Sequence, residues 1–191
     1  GRNPDFYILR QSKGFSQYAP LYPDREDVKG VINGETAVIG KASYRSYLAI
    51  KDFNKNALIY RTKSVISEPQ IIKGDFLDYG WKLHDSTKTV LGYPCKMAIG
   101  RDETNVTVTA WYTEDIPIPN GPRLLTGLPG LILEISIAKF VTTATKISFP
   151  ESIPDFEALQ SEKAISLEEY MEQQEKAMEK MKRMMQSKKE E

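Results

Sequence analysis

Along most of this chain apolar and polar residues alternate with a period of two, and near its end they switch to helical spacing. Tyr44, Leu48 and Ile50 alternate with Arg45 and Lys51, and Leu58-Ile-Tyr60 opens another β-rich run. Asn54-Lys-Asn56 between them is turn chemistry and predicts a hairpin. Further strands are expected at Gln70 to Lys73, Trp81 to Asp85, Cys95 to Arg101, Thr104 to Thr113, Leu131 to Ala138 and Phe140 to Phe149. Their spacing of roughly 10 residues, with polar or Gly/Pro turns between, is an antiparallel pattern. Before residue 41 the pattern is less legible. Phe6 to Arg10 reads as a short strand, and a short helix is expected around Arg25 to Lys29 among Pro20, Pro23, Gly30 and Gly34.

The alternation assigns faces. Leu131, Leu133, Ile135 and Ile137 are expected on one side of their strand, with Ile132, Glu134 and Ser136 on the other. Val106, Val108, Ala110 and Tyr112 share a face, opposite Thr107, Thr109, Trp111 and Thr113. Trp111 on a threonine-rich face needs a cover, which a helix, the segment that follows it or a ligand would supply.

The last region is a helix, about 166–187. Ser166-Leu-Glu-Glu169 fits a capping box. Glu168, Glu169, Glu172 and Glu175 fill its first turns, and Lys180, Lys182, Arg183, Lys188 and Lys189 its last, as the macrodipole favours. Glu172 to Lys176 and Glu179 to Arg183 have the stabilising i, i+4 order. Leu167, Tyr170, Met171, Met178, Met181 and Met185 form an apolar stripe that should dock.

Composition then narrows the class. The chain has 191 residues, 40% of them hydrophobic, which suits a single domain, 1–191, with a proper core over about 41–150. The expected fold class is mainly β (α+β): one curved antiparallel sheet or half-barrel with a C-terminal amphipathic helix. Formal net charge is zero, so no whole-molecule field argues for nucleic acid or an anionic membrane. Residues before Pro150 carry 19 basic and 15 acidic side chains and those after it 7 and 11, a mild +4 and −4 asymmetry. Cys95 is the only cysteine, so no intramolecular disulfide forms. No apolar run is long enough to span a membrane as a helix. A start at Gly1, running almost directly into Phe6-Tyr-Ile-Leu9, reads as a trimmed chain whose targeting segment has been removed.

Between two strand-like runs lies segment 114–130. It holds Pro117, Pro119, Pro122 and Pro129 among Gly121, Gly127 and Gly130. Proline fixes φ and glycine permits φ > 0, so such a segment specifies one backbone path closely. Seventeen residues without a helix of their own exceed an ordinary connection.

These residues carry a resemblance. Gly127-Leu-Pro-Gly-Leu-Ile132 is the hexapeptide of the GLPGLI family of bacterial envelope proteins. Trp81-Lys-Leu83, Leu91-Gly-Tyr-Pro-Cys-Lys-Met-Ala98 and Ala110-Trp-Tyr-Thr113, followed by Ile116-Pro117 and Gly121-Pro122, resemble the family's other elements in order, over about 79–138. Residues 1–60 match only loosely, through Phe15-Ser16. Ala138-Lys139 stands where the family often has an acidic residue, and the methionine-bearing helix lies outside the pattern. The resemblance implies an exported protein, periplasmic or outer-membrane associated, β-rich, without an established activity. A sheet of the lipoprotein-carrier type is similar in strand count and length, an analogy of fold that fixes no function.

Candidate chemistry is sparse. Trp81, Tyr93, Trp111, Tyr112, Leu124, Leu125, Leu128 and Pro129 form the candidate ligand- or partner-binding set, since aromatics and apolar loop residues line pockets. The same residues equally make a sheet core, with the three leucines plugging one end. Cys95 and His84 are the only conceivable nucleophile and base, and a cysteine in the apolar row Cys95, Met97, Ile99 is ordinarily inert. Met178, Met181, Met184 and Met185 offer thioethers to Cu(I), although methionines at helical spacing are ordinarily an adaptable apolar face. One His and one Cys make no ordinary zinc site, and no phosphate loop or EF-hand is present. No cofactor is implied. The expectation is a non-catalytic envelope protein that binds a hydrophobic ligand or a protein partner near 114–130. The alternatives are an enzyme of unknown chemistry in that region, for which a cleft joining Asp115, Arg123 and Glu134 would speak, and copper binding by the methionines.

Overall fold

The computed structural model describes residues 6–21, 28–32, 35–40, 48–61, 70–102, 104–152 and 164–187. The chain divides into two compact units, residues 1–74 with 156–191, and residues 75–155. As the patterning predicts, it is mainly β with a C-terminal helix. The strands lie in two larger sheets and a separate hairpin, none closed into a barrel, where one curved sheet was expected.

The first unit holds strands β1 (Tyr7–Ser12), β2 (Phe15–Pro20), β5 (Leu48–Asp52), β6 (Ala57–Arg61), β7 (Ile71–Asp75) and β13 (Ile165–Ser166) in one sheet, ordered β1-β2-β5-β6-β7-β13. Strands β3 (Val28–Ile32) and β4 (Glu35–Gly40) pair as a hairpin. Of the helix expected around Arg25 to Lys29, residues 25–27 lie outside the described residues, and Val28 and Lys29 belong to β3. Lys13 and Gly14, both at positive φ, turn β1 into β2, the two-residue hairpin geometry. The Asn54-Lys-Asn56 turn is as expected: the Asp52 carboxylate accepts from the amides of Asn54 (3.0 Å) and Lys55 (3.3 Å), and Asn56 takes a positive φ.

Lys51 sits in the middle of this sheet, opposite Ser16 on one side and Leu58 on the other, with no exposed surface. Burial disfavours its charged form and pulls its pKa down from 10.5 to about 7.

Helix α1 (Leu167–Ser187) follows β13, which pairs parallel with β7. The Ser166 hydroxyl accepts from the Glu169 amide at 3.1 Å, so the predicted cap forms. Both predicted i, i+4 pairs are present, Glu172–Lys176 at 3.5 Å and Glu179–Arg183 at 3.6 Å. The expected basic last turn is absent from the helix: its last turn carries no basic residue, and Lys188 and Lys189 lie outside the described residues.

The second unit is one antiparallel sheet, ordered β12-β11-β10-β9-β8, of β8 (Lys82–Val90), β9 (Tyr93–Arg101), β10 (Thr107–Thr113), β11 (Leu131–Ile137) and β12 (Phe140–Thr143). Leu91 and Gly92 turn β8 into β9 with positive φ at both. The strand expected to run from Phe140 to Phe149 ends at Thr143.

One face assignment is corrected. Trp111 pairs with Glu134, but Tyr112 pairs with Ile132, so Leu133 is an extra residue and β11 is bulged there. The bulge shifts the alternation by one. Ile132, Ile135 and Ile137 therefore share the face of Val108, Ala110 and Tyr112, while Leu131 and Leu133 join Trp111 on the other.

Candidate functional site

Segment 114–130 joins β10 to β11 across one face of this sheet. Its path follows from its prolines. The Ile118 amide donates to Ile116 O and the Asn120 amide to Ile118 O, both at 2.7 Å. These are two successive inverse γ-turns centred on Pro117 and Pro119, whose rings hold φ near the value such turns need. Asn120 is fully buried. Its carbonyl accepts from the Ile132 amide at 2.9 Å, its side-chain oxygen from the Gly121 amide at 2.8 Å, and it bridges to Thr126. Leu125 N donates to Pro122 O at 3.2 Å, and Leu131 N to Ile116 O at 3.0 Å. Backbone hydrogen bonds thus pin several points of a stretch that has almost no regular structure.

Two glycines make this path possible. A Cβ at Gly130 would stand 2.0 Å from the Thr113 carbonyl oxygen, so only hydrogen fits. Gly127 has φ +89 and lies against the Trp81 ring.

The candidate residues fall on opposite faces. Tyr112, Leu125 and Leu128 are core, packed with Tyr79, Ala98, Val108, Ala110, Ile132 and Ile135. Trp81 is half-buried over them, stacked on Tyr79 at 5.2 Å, and its Nε1–H donates to Thr126 O at 2.9 Å. Leu124 is buried, and Pro129 is exposed. The leucines therefore point inward. Pro117, Pro119, Arg123, Gly127 and Pro129 form the outer side.

Trp111 and Tyr93 lie on the other face, with Val90, Cys95, Leu131, Leu133, Ala144 and Ile147. What covers Trp111 is Lys88, whose ammonium is 4.5 Å from the ring centroid, together with the segment after β12. Lys88 also pairs with Glu134, whose second oxygen accepts from Thr143 Oγ1 at 3.0 Å. Glu134, one corner of the cleft that would favour an enzyme, is engaged here, while Asp115 and Arg123 are exposed in the loop.

Cys95 is buried and donates to Tyr93 O at 3.5 Å, and burial pushes its thiol pKa up, away from the reactive thiolate. Its cross-strand neighbour is Lys88, whereas His84 lies opposite Met97 on the exposed edge strand β8. Among the described residues no group of three or more His, Cys, Asp or Glu converges as a metal site. Met178 and Met184 are exposed on α1, and the side chains of Met181 and Met185 lie outside the described residues.

The sequence did not expose one further feature. The Tyr112 hydroxyl is buried and has no hydrogen-bond partner among the described residues. Burial and then the nearby Glu114 carboxylate raise its pKa. Glu114 itself pairs with Lys96 at 2.7 Å.

A family described as a protein of unknown function (Porph_ging) has a model that matches residues 99–134. The match starts in β9, crosses β10 and the whole 114–130 segment, and ends in β11 with the hexapeptide inside it. No curated protein matches the chain. Two solved structures of a protein named PNGF-II are similar in fold. In a C2 crystal form the TM-score is 0.52 at 18% identity, covering 84% of this chain and 26% of that one. In a P21 form it is 0.56 at 16% identity, covering 90% and 30%. The chain thus spans between a quarter and a third of that protein's length. Among the described residues no helix is long and apolar enough to cross a membrane.

Proposed function

We propose that this is an exported cell-envelope protein of the GLPGLI type, periplasmic or outer-membrane associated. In this proposal it works without catalysis, by presenting the outer side of segment 114–130 to a protein partner. The observation that carries the reading is the segment's polarity of burial: Leu124, Leu125 and Leu128 face inward, while Pro117, Pro119, Arg123 and Pro129 face outward. A hydrophobic ligand would need leucines that packing already occupies. A protein partner needs only the exterior, and a backbone fixed by prolines loses little entropy on docking. The burial and raised pKa of Cys95, with Lys88 rather than His84 as its neighbour, favour a non-catalytic role.

The test is site-specific photo-crosslinking in the native envelope, with the crosslinker at Pro119, Arg123 or Pro129, and at Leu83 on β8 as the control position. The expected result is one shared envelope protein captured from the three loop positions and not from Leu83. Equal capture from Leu83, or none from the loop, would remove the proposal.

A further inference from the structure

Helix α1 changes character along its length. Through Ala177 it is anchored: Tyr170, Gln173, Gln174 and Ala177 are half-buried, and Gln70 Nε2 donates to Gln173 Oε1 at 2.8 Å. From Met178 onward every described side chain is exposed. An isolated helical segment of this length is marginal in water unless one face packs against something.

A second, fully exposed face runs along both parts. Met171, Glu175, Met178 and Lys182 follow i, i+4, i+7, i+11 spacing, and all four are exposed. Met171 and Met178 expose 39% and 46% of their surface, enough for an apolar contact. The charges along the helix are segregated. From Leu167 to Ala177 there are four acidic residues (Glu168, Glu169, Glu172, Glu175) and one basic (Lys176), net −3; from Met178 to Ser187 there are three basic (Lys180, Lys182, Arg183) and one acidic (Glu179), net +2.

We infer that α1 pairs antiparallel with α1 of a second copy of this chain, with Met178 of each at the two-fold axis. In that arrangement the acidic half of one helix lies along the basic half of the other, and Glu175 meets Lys182 of the second copy twice by symmetry. The two macrodipoles also oppose favourably. A partner of single charge sign, or an anionic membrane surface, would be repelled by one half of the helix. The contact is small and rimmed by exposed charge, so the dimer is weak and salt-sensitive.

The test combines sedimentation velocity at low salt with cysteine crosslinking of the 191-residue chain under mild oxidation, Cys95 being buried. The expected results are a concentration-dependent dimer, a disulfide-linked dimer for Met178→Cys, and none for Lys180→Cys, which lies on the opposite side of the helix, or for Met171→Cys. Glu175→Lys should abolish the dimer, and the double variant Glu175→Lys with Lys182→Glu should restore it. A monomer at all accessible concentrations would overturn the inference. So would crosslinking of Met171→Cys as well as Met178→Cys, which marks parallel pairing, or equal crosslinking of Lys180→Cys, which marks random collision. If the charge-swapped double variant remains monomeric while its far-ultraviolet circular dichroism matches wild type, the charge complementarity is refuted.

Discussion

Segment 114–130 and helix α1 are built on opposite terms. The helix is regular from Leu167 to Ser187, yet every described side chain of its second half is exposed. The segment has two γ-turns and a single bridge, yet Ile116, Asn120, Leu124, Leu125, Thr126 and Leu128 are buried in it. Regular backbone structure is therefore a poor guide to which part of this molecule is held. In the segment, proline and glycine restrict the unfolded chain or permit a close approach, and the leucines then fix the path by packing. In the helix, local propensity, a cap and surface pairs do the work, each small.

The largest test of this contrast is Gly130→Val. Its Cβ would meet the Thr113 carbonyl oxygen at 2.0 Å, a backbone atom that cannot swing aside, so the loop must leave the sheet. A loss of about 4 kcal/mol or more is expected, read by thermal melting. Gly127→Val should lose less, about 1–2 kcal/mol, since only its positive φ is strained and the Trp81 ring stands 3.6 Å away. Wild-type melting in both would sink the structural role of the segment. Next, Leu128→Ala should cost about 2–5 kcal/mol by leaving a cavity under the loop. Met178→Ala in the exposed half of α1 should fall within about 0.5 kcal/mol by the same thermal melting, with protein dilute enough to be monomeric. Equal costs would erase the distinction between the two regions.

How far the two regions were legible follows from the same physics. The helix, its Ser166 cap and its ion pairs are local, and sequence spacing reads local interactions well. The hairpin at Asn54-Lys-Asn56 is local too. The Leu133 bulge is not: Leu131-Ile-Leu133 is three apolar residues in a row before strict alternation resumes, a phase shift that period-two counting passes over. That single residue put Ile132 on the face of Tyr112, and Leu131 and Leu133 on the face of Trp111. Strand β2 carries mixed residues, Phe15-Ser-Gln-Tyr18, with no period-two pattern to mark it. The candidate binding set was drawn from residues close in sequence. A strand sends neighbours to opposite faces, so Trp111 and Tyr112 were bound to part company.

Lys51 sharpens the comparison from the first unit. Its folded pKa of about 7 lies below its ordinary 10.5, so between these values the unfolded chain binds a proton that the folded chain does not. Stability should then rise with pH across that window, and should be lower once pH falls below about 7 and the buried amine must take up a proton. Urea titrations at several pH values should show this slope in wild type and its loss in Lys51→Met. A slope unchanged by the substitution would assign it elsewhere. The smallest effect expected is at Tyr112. Its hydroxyl is buried with no partner among the described residues, so Tyr112→Phe should melt between unchanged and about 1 kcal/mol more stable than wild type. A clear loss would mean that the hydroxyl has a partner worth keeping.

The central claim is that segment 114–130, for all its lack of regular structure, is held as firmly as the sheet strands it joins. Native-state hydrogen exchange tests it most directly. The amides of Leu125, Leu131 and Ile132, bonded to Pro122, Ile116 and Asn120, should exchange as slowly as those of Val108 and Ala110 in β10, and far more slowly than those of the second half of α1. Exchange of the Leu125 and Ile132 amides as fast as that of Met184 would contradict it.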